Sequence, residues 1–426
     1  MSVARNLLFG TLLGTELAKD LISPPARPDP DIGGTPTFGL VGGELFNKGA
    51  QAMTFTTVDI LRRNYPNADI ILFSSREFLQ DREVQYQFRT LPWDEDVKLH
   101  LFGYGGDALR RQSWDSETIG EIRSVLKDAT AIFDISGYSL SNQLGIKTTV
   151  SYMTGILLSS KYDTPYYILP QSIGPLSYDF PKRYLAETMF RTYLPYVSLI
   201  CPREEAGVDA VNRYTADNVQ LERDLVLQRP DYNLSNIATD IKTEVPYIES
   251  DAVGVIPNRN VLEYSDQDMV ELYKKAIREL KSDYSVYILR HSADDDKLCK
   301  QLYASFEDDP QVYDLNSDFN AVQLEEIISS FLFVVASRYH SIIHAYRSDV
   351  PAIVVGWAEK YRELVGVFDQ TEYFFDCRQR IRQGDITTGI RKLSNQLPAE
   401  NEKIRTESQS IRGDRTVLDE ICTHFE

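Results

Sequence analysis

The sequence has few of the residues that hold metals or cross-links. Its four cysteines, Cys201, Cys299, Cys377 and Cys422, are scattered without C-x-x-C spacing, which suggests neither a zinc site nor a disulfide framework and fits a reducing cytoplasm. Its five histidines include no H-E-x-x-H pair, so imidazole ligation is not expected and no metal site is assigned. No apolar run approaches the ~20 residues that span a bilayer. Positive charge is scarce too: 45 Lys and Arg against 63 Asp and Glu leave a formal net charge of -18. That balance argues against nucleic acid or an anionic membrane surface as the main partner, because a phosphate backbone needs a basic face. An anionic small substrate then requires a local arginine cluster, which makes each arginine at a strand end informative.

What is present is the balance of an ordinary globular protein, 42% hydrophobic and 25% charged over 426 residues, a length that suits two or three domains. The segment Met1 to Ile22 carries Arg5, Leu7-Leu8-Phe9 and Leu12-Leu13 but is interrupted by Gly10, Thr11 and Gly14 and has no A-x-A site. It reads as a short amphipathic helix that packs on the body or touches a membrane surface, not as a signal peptide. Ser23 to Thr35, with four prolines, reads as a linker. Residues 1–35 are thus an extension, followed by a Rossmann-like domain over 36–227, a connector over 228–250, a second Rossmann-like domain over 251–375 and a helical tail over 376–426.

This division rests on the rhythm of short apolar runs and helical stretches, which predicts a doubly wound α/β domain in each half. Strands are expected at Thr37–Val41, Asp69–Ser74, His100–Tyr104, Ala131–Ser136, Pro165–Leu169 and Val197–Cys201. A second set follows at Ala252–Ile256, Tyr284–Leu289, Gln311–Leu315, Phe331–Ala336 and Ala352–Val355. Every strand of a parallel sheet ends on one side, where helix N-termini offer free N–H groups to anions. That edge carries Asn47, Ser136, Ser172 and Arg203 in the first half and Arg338 and His340 in the second, so the two halves face across a cleft holding a small anion. Each residue also has a plainer reading: Asn47 as a loop cap, Ser337 as an N-cap, and Lys360 as the ion-pair partner of Glu359 or Glu363. The run Asp294-Asp295-Asp296 lacks EF-hand order and reads as a solvated loop or helix cap.

The elements Asn47-Lys48-Gly49-Ala50, Pro170-Gln171-Ser172-Ile173-Gly174-Pro175, Arg203-Glu204, Asp224 with Leu225-Val226-Leu227, Ser337-Arg338-Tyr339-His340, Gly356-Trp357 and Lys360-Tyr361 together resemble the polysaccharide pyruvyl transferase family. They come in family order between Phe38 and Leu364; Pro202 stands where a small or apolar residue is common, and the extension to Thr35 has no counterpart. The resemblance implies a GT-B-like pair of Rossmann domains. It also implies transfer of the enolpyruvyl group of phosphoenolpyruvate to a sugar hydroxyl pair of a glycan or lipid-linked saccharide, giving a pyruvate ketal and phosphate, with no cofactor. In that scheme Arg338 and His340 are catalytic; Arg203, Arg338, His340, Lys360 and Ser172 bind the donor; and Asn47 and Gln171 bind the acceptor. His340 is either the proton donor or a phosphate ligand. The alternatives are a nucleotide-sugar glycosyltransferase of the same architecture and a non-catalytic glycan-binding protein on the same scaffold. A cytoplasmic location, with or without peripheral membrane contact, fits either enzyme.

Overall fold

The computed structural model describes residues 2–29, 33–80, 84–103, 114–413 and 415–425. The first half forms strands β1 (Thr37–Val41), β2 (Asp69–Phe73), β3 (Arg89–Leu91), β4 (Ala131–Asp134), β5 (Tyr166–Gln171) and β6 (Leu199–Pro202). The second forms β7 (Ala252–Ile256), β8 (Ser285–Leu289), β9 (Val312–Leu315), β10 (Val334–Ala336), β11 (Ala352–Gly356) and β12 (Phe374–Asp376). The strand orders are β3-β2-β1-β4-β5-β6 and β12-β11-β10-β7-β8-β9, the same doubly wound pattern twice, and every pairing is parallel. Helices cover both faces of such a sheet, so central strands bury every residue, as in β4 and β7, and read as unbroken apolar runs rather than alternations.

One expected strand is not there. Glu95–Leu101 is a helix, because the Asp94 carboxylate accepts from the Asp96 and Val97 amides and caps it, a helix start that outweighs the apolar run from His100. Tyr104, at the end of that run, lies outside the described residues. The edge strand is instead β3, whose Arg89 is held by Asp69 of β2 through bonds of 2.8 and 3.1 Å.

The amphipathic helix of the extension, Ser2–Ile22, packs on the first half. Leu13 and Leu17 are buried, and Asp20 accepts from the Tyr193 hydroxyl at 2.8 Å. No described helix is long and apolar enough to cross a membrane.

The tail ties the halves together. Helix Gln383–Ile411 packs against the second half, and helix Val417–Cys422 then returns to the first, against helix Lys48–Asn64. The Tyr65 hydroxyl donates to the Cys422 carbonyl at 2.6 Å, and the Phe425 ring lies 5.8 Å from those of Phe38 and Tyr167. Phe425→Ala is therefore expected to cost about 3 kcal/mol and to lower the midpoint of urea unfolding; an unchanged midpoint would show that the returning tail is decorative.

Candidate functional site

In a doubly wound sheet a crevice opens where the strand order reverses. Here the reversals fall between β1 and β4 and between β10 and β7, and the loops leaving these four strands meet across the cleft. They enclose a cavity of about 200 Å³ whose lining includes Asn47 and Gly49 after β1, Ser136 after β4, Asn258 after β7, and Arg338 and His340 after β10. The loops approach closely. Gly42 has φ +78°, and a Cβ there would lie 2.6 Å from Ser136 Cα. Gly49, in the first turn of helix Lys48–Asn64, abuts the His340 imidazole, so that a Cβ would stand 2.8 Å from His340 Cγ.

Both arginines reach the cleft already engaged. Arg338, at the N-terminus of helix Tyr339–Arg347, donates from Nε and Nη2 to the two oxygens of Asp295 at 2.7 and 2.6 Å. Asp295 is 0% exposed and also accepts from the Arg259 amide at 2.9 Å. The middle of the aspartate run is thus a buried clamp and not a solvated loop, because a fully buried carboxylate needs a cation and several donors. Arg338 keeps Nη1 without a hydrogen bond among the described residues. Burial alone would weaken its charge, but Asp295 outweighs that and raises its pKa.

Arg203 is buried, bonded from Nη1 to Asp224, and donates from Nη2 to the Gly137 carbonyl at 3.0 Å and Ser172 Oγ at 2.8 Å. Its guanidinium carbon sits 4.6 Å from the Tyr339 ring centroid, which joins the two halves. Burial opposes its charge, yet Tyr339, Asp224 and Glu204 raise its pKa. Arg338 thus grips the protein's own Asp295 with two bonds and Arg203 its own Asp224 with one, and each guanidinium is fixed before any ligand arrives.

His340 Nε2 lies 3.9 Å from Asp224 Oδ2 and is buried without a hydrogen-bond partner among the described residues. Burial, then the cations Arg203 and Lys360 and the neighbouring His344, hold its pKa well below the usual imidazole range. Burial and these charges thus favour the neutral imidazole, whereas the proton-donor role expected of His340 needs its cation. Lys360 does not pair with Glu359 or Glu363. Its Nζ sits 4.3 Å from the Tyr138 ring centroid and 5.2, 5.6 and 5.8 Å from those of Tyr339, Trp357 and Tyr361. An ammonium held against aromatic faces loses water without gaining a carboxylate; this burial, with Arg203 and Arg338 nearby, pushes its pKa down to about 7, against a partial offset from Glu204.

The remaining sequence candidates divide. Asn47 lines the cavity but its Oδ1 caps helix Lys48–Asn64 at the Gly49 amide, 3.2 Å away. Ser172 links Arg203 to Glu204, donating to the latter at 2.6 Å. Gln171, the last residue of β5, is 0% exposed and donates from Nε2 to the Asp134 carbonyl and carboxylate, both at 3.3 Å, so its amide lies inside the sheet and not in the cleft. Asp295, Asp224 as the partner of Arg203, and the rings around Lys360 were given no role by the sequence reading. The available signals were the aspartates just past the end of β8 and the aromatics flanking Lys360.

His344, one turn beyond His340, is fully buried with Nδ1 3.3 Å from Glu325 Oε2. It belongs to a buried ion cluster with Arg229 and Arg347. Among the described residues no cluster of His, Cys, Asp and Glu could hold a metal.

Several solved structures share the architecture. A putative UDP-N-acetylglucosamine 2-epimerase from Listeria monocytogenes aligns with TM-score 0.51 and 13% identity over 92% of this chain and 97% of its own. Medicago truncatula UGT71G1 complexed with UDP-glucose aligns with TM-score 0.51 and 10% identity over 91% and 97%. UDP-GlcNAc 2-epimerase from Neisseria meningitidis, bound to UDP-GlcNAc, aligns with TM-score 0.50 and 12% identity over 88% and 98%. At such identities the likeness shows the GT-B-like fold alone. No curated protein sequence matches the chain significantly. The model of one protein family, polysaccharide pyruvyl transferase, matches residues 47–359, a span that contains Asn47, Arg203, Arg338 and His340 of the cleft cavity and ends just before Lys360; the chain belongs to that family of transferases.

Proposed function

We propose that the protein transfers the enolpyruvyl group of phosphoenolpyruvate to two hydroxyls of a sugar, forming a pyruvate ketal and releasing phosphate. The observation that carries this reading is the cleft cavity itself, where Arg338, Lys360 and neutral His340 converge in a protein of strongly negative net charge. A protein that repels anions at long range binds one through a few desolvated contacts. Arg338 Nη1 and the uncommitted ammonium of Lys360 supply them, while Arg203, its Nη1 already bonded to Asp224, adds positive field and holds Tyr339 in place.

In the reaction the donor methylene takes a proton and becomes a methyl group, leaving an oxocarbenium-like carbon. The first sugar hydroxyl adds to that carbon and gives up its proton. The second hydroxyl then displaces phosphate, which leaves with the other proton. The carboxylate and phosphate of the donor, arriving beside His340, favour its cation, and His340 is then the acid that protonates the methylene.

The pH dependence follows with a definite sign. Lys360 is cationic below about pH 7 and neutral above it, and anion binding favours the cation, so the Kd for phosphoenolpyruvate rises as pH rises through 7, by up to about tenfold per unit. Lys360→Arg, which cannot lose its proton, should flatten that rise in calorimetric titrations. A Kd independent of pH, or equal pH dependence in the variant, would remove Lys360 from the donor site. The reading as a whole is tested by incubating the protein with phosphoenolpyruvate and a glycan array. Mass spectrometry should find a ketal on a neutral glycan, while glycosyl transfer from UDP-sugars under the same conditions would establish the nucleotide-sugar alternative instead.

A further inference from the structure

A second cavity, of about 330 Å³, opens on the far side of Tyr138 and Lys360, and both residues line the first cavity as well. Its walls come from both halves: the loop after β5, including Pro175 and Leu176, with Glu204 and Ala206 after β6, and Glu359 and Glu363 from the helix after β11. We propose that this cavity is the acceptor subsite and takes an uncharged terminal sugar residue, with Lys360 standing between the sugar and the donor. The inference rests on the donor reading above, since it places the acceptor oxygen beside the donor carbon, as ketal formation requires.

The lining suits a neutral sugar. Tyr138, Pro175 and Leu176 offer an apolar wall to the C–H face of a pyranose, and the carboxylates offer acceptors to its hydroxyls. Glu204 uses Oε1 to accept from Ser172 at 2.6 Å, and Glu363 uses Oε2 to accept from the Glu205 amide at 3.1 Å. Each leaves its other oxygen without a hydrogen bond from the described residues, which provides two acceptors for hydroxyls that do not react. The carboxylates also crowd one another: burial, then Glu204 and the charges of Glu359 and Glu205, push the Glu363 carboxyl up to about 7. Arg213, Arg378 and Lys360 line the same cavity, but Arg378 is held by Asp376 at 2.6 Å and the Lys360 ammonium lies against the Tyr138 ring, so Arg213 is set against three carboxylates and a sugar that brought its own carboxylate is disfavoured.

The test separates the two sites. Saturation-transfer NMR is recorded on the full-length protein with methyl galactoside, methyl glucoside, methyl mannoside and methyl glucuronide. Thermal unfolding with and without phosphoenolpyruvate is measured on the same samples. Ala206 is exposed on the cavity wall, so Ala206→Trp fills the space without disturbing the core. The expected result is transfer to at least one neutral glycoside and none to the glucuronide. Ala206→Trp should weaken that binding at least tenfold and leave the phosphoenolpyruvate-induced shift unchanged, and Glu363→Gln should weaken it in the same direction. Absence of transfer to every neutral glycoside, binding untouched by Ala206→Trp, or equal binding of the glucuronide would each overturn the proposal. Loss of the phosphoenolpyruvate shift in the wild-type protein, with sugar binding intact, would instead overturn the donor reading.

Discussion

Arg338→Lys lowers kcat/KM for phosphoenolpyruvate by about 10²-fold or more while the protein stays folded. Lysine keeps the charge but cannot make the two parallel bonds to Asp295 that now aim the guanidinium. Two charge-assisted hydrogen bonds at ~1.5 to 3 kcal/mol each account for a loss of this size. Asp295→Asn separates aim from charge. It makes the cavity more positive, so a site governed by net charge alone would bind the donor more tightly. An asparagine, however, leaves Arg338 with one acceptor in place of two and loosens its aim, so kcat/KM is expected to fall with Asp295→Asn as well. Steady-state kinetics on both variants, with circular dichroism melts as a check on folding, decide the matter; unimpaired turnover in Asp295→Asn would show that the clamp is only structural.

Gly49→Ala reduces kcat by about tenfold to 10²-fold, the cost of misplacing a catalytic group by about an ångström. The added methyl would lie 2.8 Å from His340 Cγ and 3.2 Å from His340 Cβ. The backbone at Gly49 is fixed by the first turn of its helix, so the imidazole is what moves. The effect should vanish in a His340→Ala background, where the methyl has room and no imidazole is left to displace. A double-mutant cycle measures this directly. Equal losses in the two backgrounds would mean that Gly49 acts on the helix and not through His340.

Much of this site was legible in the sequence because parallel strands announce themselves as apolar runs whose polar successors share one edge. Arg203, Arg338 and His340 follow abrupt ends of such runs, and the cleft brings all three to one cavity. Their partners were not legible, since partnership depends on how loops from different strands fold over one another. Asp295 comes from the loop after β8, 43 positions from Arg338, and its neighbours Asp294 and Asp296 give the run the look of a solvated turn. Gln171 was misleading for a related reason: β5 extends through it, so a residue that reads as a strand-end ligand is the strand's last buried member. The edge strand β3 is three residues long and carries no apolar run to detect. Lys360 pairs with neither Glu359, one position before it, nor Glu363, three positions after it; both carboxylates line the second cavity, while the ammonium sits among rings.

The central claim is that the cavity between the two strand-order reversals is a phosphoenolpyruvate site organised by Arg338. Isothermal titration calorimetry of phosphoenolpyruvate and of UDP into the wild-type protein and into Arg338→Ala tests it most directly. The account predicts saturable binding of phosphoenolpyruvate to the wild type, weakened at least tenfold in a folded Arg338→Ala, with no comparable binding of UDP. Unchanged phosphoenolpyruvate binding in Arg338→Ala, or UDP binding that depends on Arg338 in its place, would contradict it.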